Sequence, residues 1–298
     1  MSPARPQAPT ASVVVATHNR PIELARCLEA LNGQETRFAF EIVVVDDGSD
    51  PPVRHRDLSS SHERPLHLVR HHGSGPAGAR NAGVARARGD VMLFTDDDTI
   101  PGSLWVESAC QFLTRHPDHV GVEGPTTSPS YDPLYFHSAH ASTPGSFLTC
   151  NVGYRRTAIE AVGGFSELFA FAREDLDLGF RIARLGPCGY VQDMAVLHPP
   201  MPATLAAEIQ RGRHIVNDVR LFRRHPQRYP GVRYLSAPGY AVYVHSKHWV
   251  YSITRGYYNI GRSPTRALRF LILVIGYSAV GFLALMRCLF GRRDMDPS

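Results

Sequence analysis

Lysine is almost missing from this chain. Of the 32 lysine and arginine side chains, Lys247 is the one lysine, so any mechanism that needs an active-site lysine has a single candidate. Cysteine is equally poor in pattern: Cys27, Cys110, Cys150, Cys188 and Cys288 are odd in number, widely spaced and outside any Cys-x-x-Cys pair. That argues against a disulfide framework or a zinc site and favours a reducing compartment. Cys27 and Cys110 fall in helix-like stretches, where a buried thiol is the expected state. Residues 1–10 are rich in proline and alanine without an apolar core. They read as a disordered tail rather than a secretory signal, so the first domain is expected to stay in the cytosol. No block of one charge sign exists either. The net charge of +5 is spread thinly, and no nucleic-acid partner is expected. No internal repeat is visible. A hydrophobic content of 43% with 20% charged residues belongs to an ordinary globular chain, which excludes intrinsic disorder as its general state.

Strand and helix signals alternate through the first hundred residues. A β-branched run at 12–16 leads through the turn Thr17-His18-Asn19-Arg20 to Pro21, where a helix begins with the apolar stripe Ile22, Leu24, Ala25, Leu28 and Leu31. Residues 41–45 and 66–69 are further strands. Residues 73–78 form a loop opening a helix that runs to Arg88 and stops at Gly89. Residues 91–95 are a fourth strand, and Pro101 is expected to start the next helix. Such alternation predicts an α/β fold, a mostly parallel sheet with helices on both faces, whose ligands sit at the carboxyl ends of the strands. Two acidic clusters, Asp46-Asp47 and Asp96-Asp97-Asp98, follow strands there. Beyond Gly124 the pattern loosens into an acceptor-side region. Helical signals return at 157–162 and 173–185, a strand-like stretch spans 190–197 before His198-Pro199-Pro200, and 204–224 reads as a basic amphipathic helix.

Two acidic clusters at neighbouring strand ends suit a divalent cation, because hard carboxylate oxygens match Mg²⁺ or Mn²⁺ and a diphosphate completes the shell. The Asp-x-Asp spacing of Asp96 and Asp98 places alternate side chains on one side of an extended segment. The competing reading is turn chemistry and helix capping. The segment Gly75-Pro76-Ala77-Gly78-Ala79-Arg80-Asn81 leads into a helix N-terminus, which attracts anions, and Arg80 adds a charged donor for phosphate or sugar oxygens.

Val13-Val14-Val15-Ala16-Thr17-His18-Asn19-Arg20, Val43-Val44-Val45-Asp46-Asp47-Gly48-Ser49, residues 75–81 and Asp96-Asp97-Asp98 together resemble the family-2 glycosyltransferases, in the family's order and spacing. Gly163-Gly164-Phe165 and Glu174-Asp175-Leu176-Asp177-Leu178 extend the likeness, which covers roughly residues 11–200. The resemblance implies a GT-A fold, a nucleotide-sugar donor (UDP-linked in the first instance), a divalent metal and inversion at the anomeric carbon. It places Thr17 and Asp47 in the nucleobase pocket with Asp46 beside them, and Asn19 and Arg20 in the same donor-binding stretch. Asp96 contacts ribose or sugar, Asp97 assists, and Asp98 binds the metal. His198 is either a further metal contact or a solvated histidine before two prolines. Glu174 and Asp175 resemble the family's acidic pair, with Asp175 as general base; an acceptor hydroxyl must lose its proton as it attacks, and a carboxylate within reach takes it. No role attaches to Arg155 or Arg156 at this level.

Residues 201–298 match none of these motifs and are expected to form a helical extension. Residues 270–286 are 17 positions without a charge, and apolar character resumes after Arg287 to Phe290. A spanning helix needs about 20 apolar residues, or about 17 if short, so 270–290 is a candidate membrane helix, with a buried core helix as the alternative. Arg255, Arg262, Arg266 and Arg269 before it, against Arg287, Arg292 and Arg293 after it, vote weakly for a cytosolic N-terminal side. The expected setting is the cytosolic face of the cell membrane, with a lipid-linked, polysaccharide or other envelope acceptor. Two other readings compete. Phe94 to Thr99 imitates the Asp-x-Asp-x-Thr motif of haloacid-dehalogenase-like phosphatases, but that family carries it on the first strand and needs a lysine. A catalytically silent, membrane-anchored nucleotide-sugar-binding protein is opposed by the intact set Asp98, Asp175 and His198.

Overall fold

A computed structural model describes residues 8–58, 64–130, 132, 135–169, 172–202, 204–233, 235–236, 239–240, 242–244, 246, 283 and 286. The elements in chain order are β1 (Ala11–Thr17), α1 (Pro21–Asn32), β2 (Phe40–Asp47), β3 (Leu66–His71), α2 (Pro76–Arg86), β4 (Val91–Asp96), β5 (Ile100–Pro101), α3 (Trp105–Arg115), β6 (Gly121–Glu123), β7 (Thr126–Thr127), β8 (Phe136–His137), β9 (Val152–Arg155), α4 (Arg156–Ala161), α5 (Glu174–Ile182), β10 (Cys188–Tyr190), β11 (Val196–Leu197), β12 (Met201–Pro202) and α6 (Leu205–Arg224).

Valine-rich runs that are buried on both faces can only be the interior strands of a covered sheet, and β1 and β2 are such runs. They sit in a seven-stranded sheet of order β10-β6-β9-β4-β1-β2-β3. β3, β2, β1 and β4 pair in parallel, β9 runs antiparallel to β4 and β6, and β10 is parallel to β6. The chain winds outward from β1 to β3 and then returns to β4 on the other side of β1. That reversal opens a crevice at the carboxyl ends of β1 and β4. α1 and α3 cover one face, burying Leu24, Leu28, Leu31, Trp105, Val106 and Leu113 against Val13, Val15, Ile42, Val44 and Leu93. α2 covers the other face at very close range: a Cβ on Gly83 would stand 2.4 Å from Val14 Cγ1, so only glycine lets this helix settle on the strand.

The chain forms two compact units, one of residues 1–129 and 139–199, the other of 130–138 and 200–298. In the second, β12 pairs antiparallel with β8, and α6 contributes Ile215, Val219 and Phe222 to a small core with Tyr240 and Val244. Among the described residues no helix is long and apolar enough to cross a membrane. The candidate segment 270–290 lies outside them except for Leu283 and Met286, as do Lys247 and Cys288.

Several local expectations change. Pro101 belongs to β5, and the helix begins at Trp105. Residues 190–197 are not one strand: β10 ends at Tyr190, and Met194 N–H closes a turn onto Val191 O before β11. α2 stops at Arg86 because Arg88 turns to Glu41, donating from its backbone at 2.6 Å and from Nε at 3.1 Å. Ile22, assigned to the apolar stripe of α1, is 63% exposed, and Cys27 takes the inward position. Thr10, the last residue of the stretch expected to be a tail, donates its N–H to Ala39 O at 2.7 Å.

Candidate active site

The loop after β1 is held by the loop after β2. Asn19 adopts a left-handed backbone (φ 55°), which asparagine tolerates; its N–H donates to Ser49 Oγ at 2.9 Å and its Oδ1 accepts from Asp50 N–H at 2.8 Å. Asp46, expected beside the nucleobase pocket, is not among the residues lining the two cavities described below. Its carboxylate is buried and accepts from the N–H groups of Ser49 and Val53, each at 2.9 Å, and from Arg70. Burial alone would push this carboxyl up, but those donors outweigh it and hold it low. Asp46 therefore builds the turn. Asp47 accepts His71 Nδ1 at 2.8 Å and the N–H groups of Gly73 and Gly75 at 3.0 and 2.9 Å, which folds the loop ahead of α2 against the end of β2.

The three aspartates after β4 diverge. Asp96 accepts Arg80 Nη2 at 2.8 Å. Asp97 accepts Thr17 Oγ1 at 2.7 Å and Arg20 Nη1 at 3.2 Å, and burial pushes its carboxyl up to about 6 against the pull of both. Asp98 Oδ2 accepts from Arg20 Nη1 at 2.7 Å, and its Oδ1 lies 3.7 Å from His198 Nε2. Burial and the charge of Asp96 raise the Asp98 carboxyl, with His198 and Arg20 opposing. His198 is placed by its own backbone, whose N–H donates to Thr127 O at 2.8 Å beside β11. A cavity of about 320 Å³ gathers Thr17, Arg20, Asp47, Arg80, Asp96, Asp97, Asp98 and His198. Asn19 and Arg20 also border a second cavity of about 570 Å³, walled by the start of α1 and residues 49–53.

Arg80, expected to meet phosphate or sugar oxygens, lines the 320 Å³ cavity and is held there by two carboxylates. Its buried guanidinium joins Asp96 to Glu174, donating Nη1 to Glu174 Oε1 at 2.8 Å. Burial favours loss of its proton, but the two carboxylates more than offset that, so the group stays charged. Glu174 Oε2 is buried and has no hydrogen-bond partner among the described residues. Asp175 is half-buried in the first turn of α5, just past Arg173, whose left-handed backbone (φ 75°) sets the helix entry. Its Oδ1 accepts Leu176 N–H at 2.7 Å, and burial together with the charge of Glu174 pushes the carboxyl up to about 7. Asp175 is outside the lining of the 320 Å³ cavity, but its neighbour Glu174 is tied to that cavity through Arg80, which also meets Asp96.

Sequence reasoning missed the supports. Arg70 and His71, at the end of β3, hold Asp46 and Asp47; two polar residues closing a strand were the available signal. Glu123 accepts the N–H groups of Gly145 and, at 2.8 Å, Phe147, fixing a loop whose Phe147 ring packs on α5 where Gly179 has no Cβ. Arg155 and Arg156 are structural: Arg155 donates to Leu113 O and His119 O, both at 2.7 Å, and Arg156 to Gly89 O at 2.8 Å.

A doubly wound sheet carrying an acidic cleft at its switch point defines a GT-A type α/β protein. Solved structures share this fold: the mannosyltransferase of Pyrobaculum calidifontis in complex with GDP-Man and Mn²⁺ (TM-score 0.57, 17% identity, covering 97% of this chain and 89% of that one) and S. aureus TarS 1–349 in complex with UDP-GlcNAc (TM-score 0.55, 16% identity, 92% and 90%). The family model of glycosyl transferase family 2 matches residues 12–177, and the chain belongs to that family. It is 30% identical over 205 residues to the pre-mycofactocin glycosyltransferase of Mycobacterium tuberculosis, a match covering 62% of this chain and 41% of the relative, so the chain spans well under half of that protein. Glycosyltransferase AglE of Haloferax volcanii is 25% identical over 213 residues, 65% of this chain and 68% of AglE.

Proposed function

We propose that the chain transfers a sugar from a nucleoside-diphosphate sugar to an acceptor hydroxyl, with inversion at the anomeric carbon. The observation that carries this reading is the pair Asp98 and His198, which bring Oδ1 and Nε2 to 3.7 Å at the edge of an acidic cavity. That separation is too long for a hydrogen bond, and the Asp98 carboxyl is raised by burial and by Asp96, so the donor set fits a divalent cation such as Mn²⁺ or Mg²⁺. When bound, the cation neutralises charge growing on the leaving diphosphate. Proteins of this fold are named for complexes with GDP-Man and Mn²⁺ and with UDP-GlcNAc, which supports a nucleotide-sugar donor here.

Thr17 and Asp47 wall the nucleobase end of the cavity, while Asp96 and Asp97 face the ribose and sugar. Arg20, with its side chain 44% exposed, is free to leave the aspartates for a phosphate oxygen. Asp175 removes the proton from the acceptor hydroxyl as its oxygen attacks from the side opposite the diphosphate. A carboxyl poised near 7 is ionised in a useful fraction at neutral pH and still basic enough to accept that proton. Arg80 and Glu174 position the first turn of α5 against the donor aspartates. A UDP-sugar is the first donor to test. The apolar segment 270–290 supports a lipid-linked or envelope-polysaccharide acceptor at the cytosolic face of a membrane. Deleting 262–298 should then release the protein from the membrane fraction; unchanged retention would remove that part of the reading.

A thermal-shift screen of nucleotide-sugars, with Mn²⁺ and with EDTA, tests the donor. One nucleotide-sugar should raise the unfolding midpoint only with the metal. Calorimetry that finds no metal-assisted nucleotide uptake would overturn the proposal, and tight binding without turnover would make the chain a silent binding protein.

A further inference from the structure

At the opposite end of the sheet from the acidic cleft lies a second set of metal-ligating side chains. His116, Asp118 and His119 occupy the turn between α3 and β6, within the sequence His-Pro-Asp-His. β6 runs in the direction of β4, so this turn sits at the amino ends of the parallel strands, away from the carboxyl ends that carry Asp96 and Asp98. The donor atoms of the three side chains lie within 4.8 Å of one another.

Their backbone is fixed from several directions. His116 N–H donates to Phe112 O at 3.0 Å, and His119 N–H to His116 O at 3.1 Å. Arg155 reaches in from β9 and donates to the carbonyl oxygens of Leu113, His116 and His119 at 2.7, 3.2 and 2.7 Å, so its charge is turned to the backbone rather than to the ligand atoms. Pro117 limits the turn further. The Phe112 ring packs against both imidazoles, with centroids 4.4 Å from His116 and 5.0 Å from His119. His119 Nδ1 already stands 3.1 Å from Asp118 Oδ1. Around a four-coordinate ion with bonds near 2.1 Å, ligand atoms stand about 3.4 Å apart, so side-chain rotations moving ligand atoms by roughly 1 Å close the shell.

Two imidazoles and one carboxylate select a borderline transition ion over Mg²⁺ or Ca²⁺, which take oxygen shells. We propose that His116, Asp118 and His119 bind a divalent ion of the zinc class, with water completing the shell. The ion ties the last turn of α3 to the start of β6 and takes no part in chemistry at the acidic cleft. Little backbone freedom is left to be lost on binding, because Arg155 and Phe112 hold the turn beforehand.

The test is titration of the full chain with zinc chloride by calorimetry and with cobalt chloride by visible absorption. Asp98→Ala is run in parallel, so that the acidic cleft is not mistaken for this site. The unaltered chain and Asp98→Ala should both develop the cobalt ligand-field band. His116→Ala/His119→Ala should lose it and bind zinc at least about 100-fold more weakly. At a hundredfold excess over its dissociation constant, zinc should raise the unfolding midpoint of Asp98→Ala by roughly 5–10 °C and leave Asp98→Ala/His116→Ala/His119→Ala unmoved. His119→Gln, close in size, should weaken zinc by at least about tenfold and guards against misfolding of the double variant. Equal zinc affinity in the unaltered and doubly substituted chains, or a cobalt band lost in Asp98→Ala but kept without the histidines, would overturn the proposal.

Discussion

Replacing Asp175 by asparagine should make the protein more stable and nearly inactive. The carboxyl has its midpoint moved from the ordinary 3.8 to about 7, first by burial and then by the neighbouring charge of Glu174. The folded chain therefore retains a proton that the unfolded chain has already lost. Stability contributed by this group is full below about pH 4 and is lost as pH rises through about 7. At about 1.4 kcal/mol per tenfold change in proton affinity, the whole displacement is worth at most about 4 kcal/mol. Asp175 keeps some contact with water and shares its charge balance with Glu174, so about 1–3 kcal/mol is the working expectation. Asparagine carries no charge and still accepts the Leu176 N–H through Oδ1. In urea unfolding across a pH series, the variant should gain on the unaltered chain between about pH 4 and 7, by about 1–3 kcal/mol, and hold that lead above. Over the same range, log kcat/KM of the unaltered chain should climb and level off above about 7, while the variant loses about 10²–10⁴-fold and keeps its donor affinity. A variant with no pH-dependent gain in stability and near-normal turnover would refute both the burial argument and the assignment of the base.

Other outcomes follow from the same contacts. Asp98→Ala should erase the difference between nucleotide binding in Mn²⁺ and in EDTA, read by calorimetry; a preserved manganese dependence would count against its role. Arg80→Met strands the carboxylates of Asp96 and Glu174 and should cost about 3 kcal/mol in urea unfolding, so a loss below about 1 kcal/mol would contradict the bridge. In Gly179→Ala, the new Cβ would stand 2.3 Å from Phe147 Cγ, and the ring must yield. A cost of about 1–3 kcal/mol is expected, together with slower turnover through displacement of α5; a neutral result would show that the contact is slack.

The parts of the fold that were readable in advance are those where one local property decides. The valine runs of β1 and β2 admit no other burial, and Pro21 marks a true helix start. Pro101 misled because proline also tolerates a short edge strand, and its pairing with Val196 depends on a segment far along the chain. Residues 190–197 looked continuous because nothing local announces the turn at Val191 to Met194. The same division runs through the site. Carboxylates after strands β2 and β4 were visible because strand ends are where such sheets bind. Their partners were not: Arg80 meets Glu174 across 94 positions, and Arg70 arrives from β3 to join the Ser49 and Val53 N–H groups on Asp46. Arg155 and Arg156 resisted assignment for the same reason, since the carbonyl oxygens they bind belong to the ends of other elements.

The guanidinium of Arg80 makes three positions interdependent in inheritance. Losing Asp96 or Glu174 alone leaves a cation half-compensated in a closed space, and losing Arg80 alone leaves two anions facing each other. Natural drift at these sites must therefore pass through concerted exchange or through loss of the activity. In duplicated copies released from selection for transfer, Arg80, Asp96 and Glu174 should decay as a trio, while the turn built on Asp46 and Arg70, which the sheet needs in any case, outlasts them.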